Sequence, residues 1–377
     1  MNPKVLKLFN KVIINKFYAA LLVIIVIHIF SSPTYYAISN GYKTCTTCCN
    51  MQQKIDRKNH LLNTVSHQFE ASTHMAKTEF RLTPPILAKV FFINTPAGMY
   101  ILQVITGFLF FVMLYSLIYS IIPNYTITFI SILAFGFIYQ GYSFISEMEG
   151  FFDSFAFIFL LIALLDVHLI ILALTLFLAY YTDERSVFSS FLIVFYWQYR
   201  NHTQNQKKFF LPSKQAYIML ITLLLYLVTR WILVNYFGFV NQFAGTNTLI
   251  YTINYAGIAF WQAFEGFWFL IVLAILALYN QKKYAVALIF LILNALIFSI
   301  GMSVMDITRS IAYVFPSIII SLYILKDYFE YHKLKQVMLI CLLFCFMYPS
   351  YNFIVGKPPH SYNPIYIRVA KKLLHIP

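Results

Sequence analysis

Charged side chains are scarce. Lys, Arg, Asp and Glu make up 11% of the 377 residues, where a soluble domain carries about 25%. The deficit excludes a water-facing surface of normal size. Carboxylates are the scarcer sign, 13 against 27 Lys and Arg, for a net charge of +14. No soluble basic domain holds that charge, so a nucleic-acid partner is not expected; the lysines and arginines sit in short clusters between apolar runs, where they set topology and meet anionic headgroups. Five cysteines are too few for a disulfide framework. Cys45, Cys48 and Cys49 have CxxC spacing but no second ligand pair, and Cys341 and Cys345 lie one helical turn apart in an apolar run, so structural or incidental roles are expected and no metal site. His60, His67 and His74 recur every seven residues without an HExxH-type motif and read as solvent-exposed. Walker A, GxGxxG, GxSxG and kinase-type loops are all missing, which leaves hydrolytic or ATP-driven cytoplasmic chemistry without support and no cofactor implied.

What is there is apolar. The chain is 60% hydrophobic and 19% aromatic, with mean hydropathy +0.73. Apolar runs long enough to span a bilayer recur from end to end. The expected fold is all-α: a polytopic integral membrane protein with about ten or eleven transmembrane helices. Candidate spans are 17–37, 97–121, 125–146, 154–165, 168–181, 187–199, 215–238, 252–279, 284–303, 310–325 and 337–355. The basic start and apolar stretch of the N-terminus lack an A-x-A-like cleavage site, so a retained first helix is expected. No internal repeat or low-complexity linker appears; residues 1–377 are read as a single transmembrane domain with a large external loop at about 38–96.

The stretch 154–181 admits two folds: one helix burying Asp166 and His168, or a short helical hairpin turning at Asp166-Val167-His168. The N-terminal Lys4, Lys7, Lys11 and Lys16 place that end in the cytoplasm. A hairpin then brings Arg200/Lys207/Lys208/Lys214, Lys282/Lys283 and Lys326/Lys333/Lys335 to the same side, whereas a single span sends them all outside. It also avoids burying Asp166 at the bilayer centre, a cost of roughly 3 kcal/mol or more. Helices of about 14 residues reach about 21 Å at 1.5 Å per residue, short of the roughly 30 Å core. The pair therefore needs shielding by neighbours or a thinned membrane.

With that topology the carboxylates sort by side. Asp166, Asp327 and Glu330 lie inside among lysines. Asp56, Glu70, Glu79, Glu147, Glu149, Asp153, Asp183, Glu184, Glu265 and Asp306 lie outside or near the outer surface. Several of the outer acids stand in compact motifs with a cation: Lys77-Thr-Glu79-Phe-Arg81, Thr182-Asp183-Glu184-Arg185 and Asp306-Ile-Thr-Arg309. Caps and snorkelling anchors are the bland account of any one of them; their concentration on one face favours a functional outer cavity. Arg230 lies within an apolar span, where a guanidinium needs a buried anion or a wet cavity; packing against an acid such as Glu265 is the alternative. Glu265 itself stands among Trp261, Phe264, Phe267 and Trp268, which read as an interfacial aromatic belt more readily than as a sugar platform.

The layout resembles that of the GT-C-type polytopic glycosyltransferases, which use polyprenyl-phosphate-linked sugars. A first helix, a large external loop with acids, short hydrophobic hairpins and charged external helix ends carry the likeness over about residues 17–325. Glu79-Phe-Arg81-Leu-Thr-Pro84-Pro85-Ile-Leu is similar to the aromatic–Arg–x–x–Pro segment ahead of the second span in many of them. Thr182-Asp183-Glu184-Arg185 sits where several carry a Lys-Glu or Arg-Glu. The chain departs from the pattern in lacking an Asp soon after the first helix. The resemblance implies a membrane glycosyltransferase that moves a sugar from a lipid-phosphate donor to an acceptor on the extracytoplasmic face of a bacterial inner membrane. Its partners would be a lipid-linked sugar and membrane lipids. Glu70 or Glu79 would then act as base, with Asp183 or Glu184 in support. Arg81, Arg185 and Arg309 would meet the phosphate, with Arg230, Glu265 and Asp306 as further substrate-binding candidates. Polysaccharide (O-antigen-like) polymerases share the hydropathy and the outer arginines; a transporter or flippase for a lipid-linked solute, or a scaffold without a site, are the non-enzyme alternatives.

Overall fold

The computed structural model describes residues 12–31, 48–62, 79–147, 150–205, 208–240, 252–304, 306–347 and 373–374. Among them the regular structure is helical and no β-strand occurs. In chain order the helices are α1 (Lys16–Ser31), α2 (Cys48–Asp56), α3 (Thr83–Val90), α4 (Pro96–Ile121), α5 (Tyr125–Phe137), α6 (Tyr139–Ser146), α7 (Asp153–Leu164), α8 (Leu169–Thr182), α9 (Arg185–Asn205), α10 (Lys214–Phe237), α11 (Ala256–Phe264), α12 (Phe267–Asn280), α13 (Tyr284–Met302), α14 (Ile307–Ile311), α15 (Pro316–Leu325) and α16 (Tyr331–Met347). Over the described residues each expected span falls on one of these helices or on an adjoining set; 32–37 of the first span and 348–355 of the last lie outside the described residues. Five stretches among the described residues are long and apolar enough to cross a membrane alone, six with the bent pair α5–α6; α1, α7 and α8 are apolar but shorter. The chain is an all-α polytopic membrane protein.

The chain folds as two compact units. One comprises Tyr36–Leu102 and Met148–Thr248. Here the hairpin expected over 154–181 is present: α7 stops at Leu164, four residues turn the chain, and α8 starts at Leu169 and packs back along α7. The break has local causes. The His168 side chain accepts the Ile170 N–H at 3.3 Å, opening α8. The Trp197 indole N–H of α9 bonds the Ala163 carbonyl at 3.0 Å, occupying an acceptor that the end of α7 leaves over. At 1.5 Å per residue α7 and α8 rise about 18 and 21 Å. α9 and α10 pack against α8 and give it apolar neighbours.

The described part of the large loop is no loose excursion. α2 and α3 pack together over a core of Met51, Ile55, Ala88, Met99, Phe152 and Phe155. Pro84 and Pro85 occupy the first turn of α3, where a missing N–H leaves no gap. Lys58 bonds the Ile93 carbonyl at 2.6 Å, and Lys54 bonds that of Gly150. Gly150 has a φ of 78°, and a Cβ there would stand 2.9 Å from the Met51 Cα, so both backbone conformation and close approach demand glycine.

The second unit comprises Met1–Tyr35, Gln103–Glu147 and Leu249–Pro377. α1 packs on α5 and α6, α16 on α5 and α12, and α12 on α15. Two interruptions shape it. α5 and α6 meet at Ile138 with a 60° bend, and α11 gives way to α12 at Glu265, whose φ of 48° is left-handed. The turn after Glu265 puts Gly266 against α16: a Cβ there would lie 2.3 Å from the Cys341 carbonyl oxygen. Gly266→Ala is expected to lower stability by about 1–3 kcal/mol through overpacking. Gly257→Ala, where a Cβ meets nothing within 4 Å, is expected to leave it unchanged or raise it by about 0.5–1 kcal/mol. Thermal unfolding in detergent distinguishes the two; equal midpoints would contradict the close approach.

Candidate functional site

The hairpin gathers charge at one end. α7 begins with Asp153, α8 ends at Thr182, and α9 begins with Arg185, so Asp153, Asp183 and Arg185 come together at the end opposite the Asp166 turn. Thr182-Asp183-Glu184-Arg185 acts as a stop and a start. Asp183 ends α8 in an extended conformation and its Oδ1 accepts the Arg185 N–H at 3.0 Å, a short side-chain-to-backbone turn that launches α9.

The Arg185 guanidinium then grips the same carboxylate with both prongs: Nε to Oδ1 at 2.6 Å and Nη2 to Oδ2 at 2.7 Å. This is the fork geometry that makes Arg–carboxylate pairs strong. Nη2 also reaches Asp153 Oδ1 at 3.0 Å, and Arg81 Nη2 approaches Asp183 Oδ2 at 2.7 Å. Both carboxylate side chains are 0% exposed, the two arginines 14% and 13%. Burial alone would push the Asp183 carboxyl up; the guanidinium groups of Arg185 and Arg81, with the Arg185 N–H donors, outweigh it and hold Asp183 well below the usual carboxylate range.

Arg81 belongs to a segment that makes a second set of contacts. The Glu79 carbonyl accepts from Arg57 Nη1 at 2.5 Å, and Val240 donates its N–H to Glu79 Oε2 at 3.5 Å. Phe80 stands between two further groups: Arg230 lies over its face at 4.0 Å, and Phe239 meets it edge-on at 5.4 Å. Arg57 in turn lies 5.4 Å above Phe239. Burial pushes the Arg57 guanidinium below its ordinary value, and the Glu79 charge opposes that. Among the described residues no acceptor reaches Arg57 Nε, Arg57 Nη2 or Arg81 Nε, though all three atoms are buried. Donors of that kind are costly to bury unless an acceptor is supplied.

An apolar groove of about 260 Å³ adjoins this cluster, lined by Leu82, Thr83, Ile86, Phe177, Leu178, Tyr181, Thr229, Ile232 and Leu233. It begins one residue past Arg81 and one residue before Arg230. Its wall is fixed by Thr83 bonding the Leu178 carbonyl at 2.7 Å and by the Tyr181–Thr229 hydroxyl pair at 2.6 Å.

Of the residues singled out in the sequence, Glu79, Arg81, Asp183, Glu184, Arg185 and Arg230 thus lie together in one unit. Arg230 faces Glu184 at 3.9 Å, with Glu184 half-exposed, and donates to the Tyr226 hydroxyl at 2.7 Å. Glu70 lies outside the described residues. Asp306, Arg309 and Glu265 belong to the other unit. There Arg309, nearly fully buried, pairs with Asp306 and donates from Nε to the Tyr139 hydroxyl at 3.0 Å, and Glu265 is fully buried at the α11–α12 break. Of the aromatic belt expected around Glu265, Phe264 and Phe267 are wholly buried and Trp268 nearly so, which makes them interior packing. Three residues of the two clusters had no role assigned from sequence. Asp153 stood among the outer carboxylates, but its pairing with Arg185 had no signal in the sequence. Arg57 and Tyr139 carried no signal beyond residue type.

Fold and cluster together define a class: a polytopic membrane protein with a buried carboxylate–guanidinium cluster beside an apolar groove. No protein-family model, no curated protein and no solved structure matches the chain.

Asp183→Asn removes the charge that neutralises Arg81 and Arg185 and is expected to destabilise the protein by about 3–5 kcal/mol. The folded carboxyl lies below its unfolded value of about 3.9. Its stabilisation is therefore complete above that pH and is lost as pH falls through the folded value, leaving no contribution to a slope between pH 5 and 7. Unfolding midpoints measured down the pH scale should fall less steeply below pH 4 in the variant than in the wild type; parallel curves would show that the network does not hold the structure.

Proposed function

We propose that the protein is a membrane glycosyltransferase that moves a sugar from a lipid-phosphate donor to an acceptor hydroxyl at the extracytoplasmic face. The observation that carries this is the segment Glu79-Phe80-Arg81. Within three residues it supplies a buried carboxylate, an aromatic face and a guanidinium, all at the edge of a groove suited to an isoprenoid or acyl chain.

The chemistry needs two things. A carboxylate must take the acceptor hydroxyl proton as the new C–O bond forms, and cations must receive the lipid phosphate as the sugar–phosphate bond breaks. Glu79 serves as base. Arg57 and Arg81 serve the phosphate with the N–H groups that have no acceptor among the described residues. Arg185 has both prongs on carboxylates, so it and Asp183 position Arg81 rather than touch the substrate. The positive-inside distribution of lysines supports the outer location of this end of the hairpin.

Glu79→Gln is expected to slow turnover of a polyprenyl-phosphate-linked sugar by about 100-fold or more, and Arg57→Ala by about 100-fold. Glu70→Gln is measured alongside; if only that variant loses activity, the base is Glu70. Wild-type rates in all three would remove the assignment. For orientation, with the native cysteines replaced by serine, Glu184→Cys is expected to react with a membrane-impermeant thiol reagent added outside, and Asp166→Cys only after permeabilisation. The reverse pattern would place the cluster on the wrong side.

The bent pair α5–α6 and the left-handed break at Glu265 support a second reading, transport of a lipid-linked solute, since interrupted helices build transporter sites. Vesicles showing movement of the lipid-linked sugar without transfer to an acceptor would favour it.

A further inference from the structure

At the N-terminal end of α1 the second unit has a pocket of about 450 Å³ that none of the chemistry above uses. Asn15, Lys16, Tyr115, Ser116, Tyr119 and Tyr125 line it, from the start of α1, the last turns of α4 and the start of α5. Its walls are built. The Tyr115 hydroxyl donates to the Ile13 carbonyl at 2.7 Å, tying α4 to the segment entering α1. Tyr119 and Tyr125 stack with ring centres 4.7 Å apart. Asn15 Oδ1 accepts the N–H groups of Phe17 and Tyr18 at 2.9 and 3.4 Å, which commits its oxygen to the helix start and leaves its NH2 as a donor.

Among the described residues the lining carries an ammonium, an amide NH2 and the paired hydroxyls of Tyr119 and Tyr125, and no carboxylate, while the Tyr115 and Ser116 hydroxyls are committed to backbone carbonyls. The surrounding sequence is as one-sided: Lys4, Lys7, Lys11 and Lys16 come early, and the first acidic residue of the chain is Asp56. The complementary ligand is an anion. Its source follows from the pocket's surroundings. Ile14, Phe17 and Tyr18 are each about half-exposed, and Leu21 and Ile25 continue that apolar face along α1 at 48% and 47% exposure. A face of this kind at the end of an apolar helix lies where the hydrocarbon of a bilayer meets its headgroups. We infer that this pocket binds the phosphate of an anionic bilayer phospholipid, with Lys16 and the Tyr119 and Tyr125 hydroxyls on the headgroup and the acyl chains along the Leu21–Ile25 face.

The test uses the full-length protein in neutral detergent and reads lipid binding directly by native mass spectrometry, so it is independent of any transferase activity. Phosphatidylglycerol is titrated against phosphatidylcholine. The wild type should retain phosphatidylglycerol selectively, and Lys16→Ala should weaken that binding about fivefold, the share of one basic residue at a lipid surface. Lys16→Arg should keep most of the affinity, and Tyr119→Phe with Tyr125→Phe should lower it. Equal retention of the two lipids, or equal binding by wild type and Lys16→Ala, would overturn the inference. So would displacement of phosphatidylglycerol by millimolar inorganic phosphate, which would make the pocket a site for a soluble anion.

Discussion

The energetic problem that organises the hairpin unit is Asp183, a carboxylate with no exposure to water. An ion buried without partners costs several kcal/mol even after relaxation, and its neighbours on both sides along the chain are apolar. Two guanidinium groups meet that cost, one from the residue two places on and one from Arg81, a hundred residues earlier. Arg185 also takes Asp153, so three helix ends and the segment before α3 are joined by one charge network. The short length of α7 and α8 follows from the same arrangement. Both end where the network begins, and neither could carry those charges into the hydrocarbon.

That constraint also explains why the phenylalanine of Glu79-Phe80-Arg81 matters as much as its charges. Anchoring Arg81 on Asp183 sets Phe80 between Arg230 and Phe239. Arg230 then meets a ring face, the Tyr226 hydroxyl and the half-exposed Glu184. The segment is short enough that its three side chains cannot be moved independently, and it leads straight into the groove at Leu82. A headgroup placed among these side chains would have its chain already directed along the groove.

The long-helix unit solves a different problem. Its polar groups sit at interruptions: Tyr139 just beyond the α5–α6 bend, Arg309 in the short α14, and Glu265 between α11 and α12. Backbone that leaves a helix within an apolar layer must find other partners. Gln140 on the Ala312 carbonyl at 2.8 Å and Thr252 on the Met302 carbonyl at 2.6 Å are examples. Polar side chains here satisfy backbone first, and Gly266 is tied to its place by the backbone of α16.

Much of this was written in the amino-acid order. Apolar run lengths located the helices, and the charge pattern, with the cost of burying Asp166, demanded a reversal near Val167 that α7 and α8 carry out. Those features are local: each follows from a window of some twenty residues and the dielectric of a bilayer. Glu79, Arg81, Asp183 and Arg185 could be singled out because a charge flanked by apolar sequence is costly wherever the chain goes. Which charge answers which was not local. Asp153 for Arg185, Arg57 for the Glu79 carbonyl and Tyr139 for Arg309 join residues 32, 22 and 170 apart. Only packing brings such residues to hydrogen-bond distance, because the side chains carry no record of their partners until the helix ends meet.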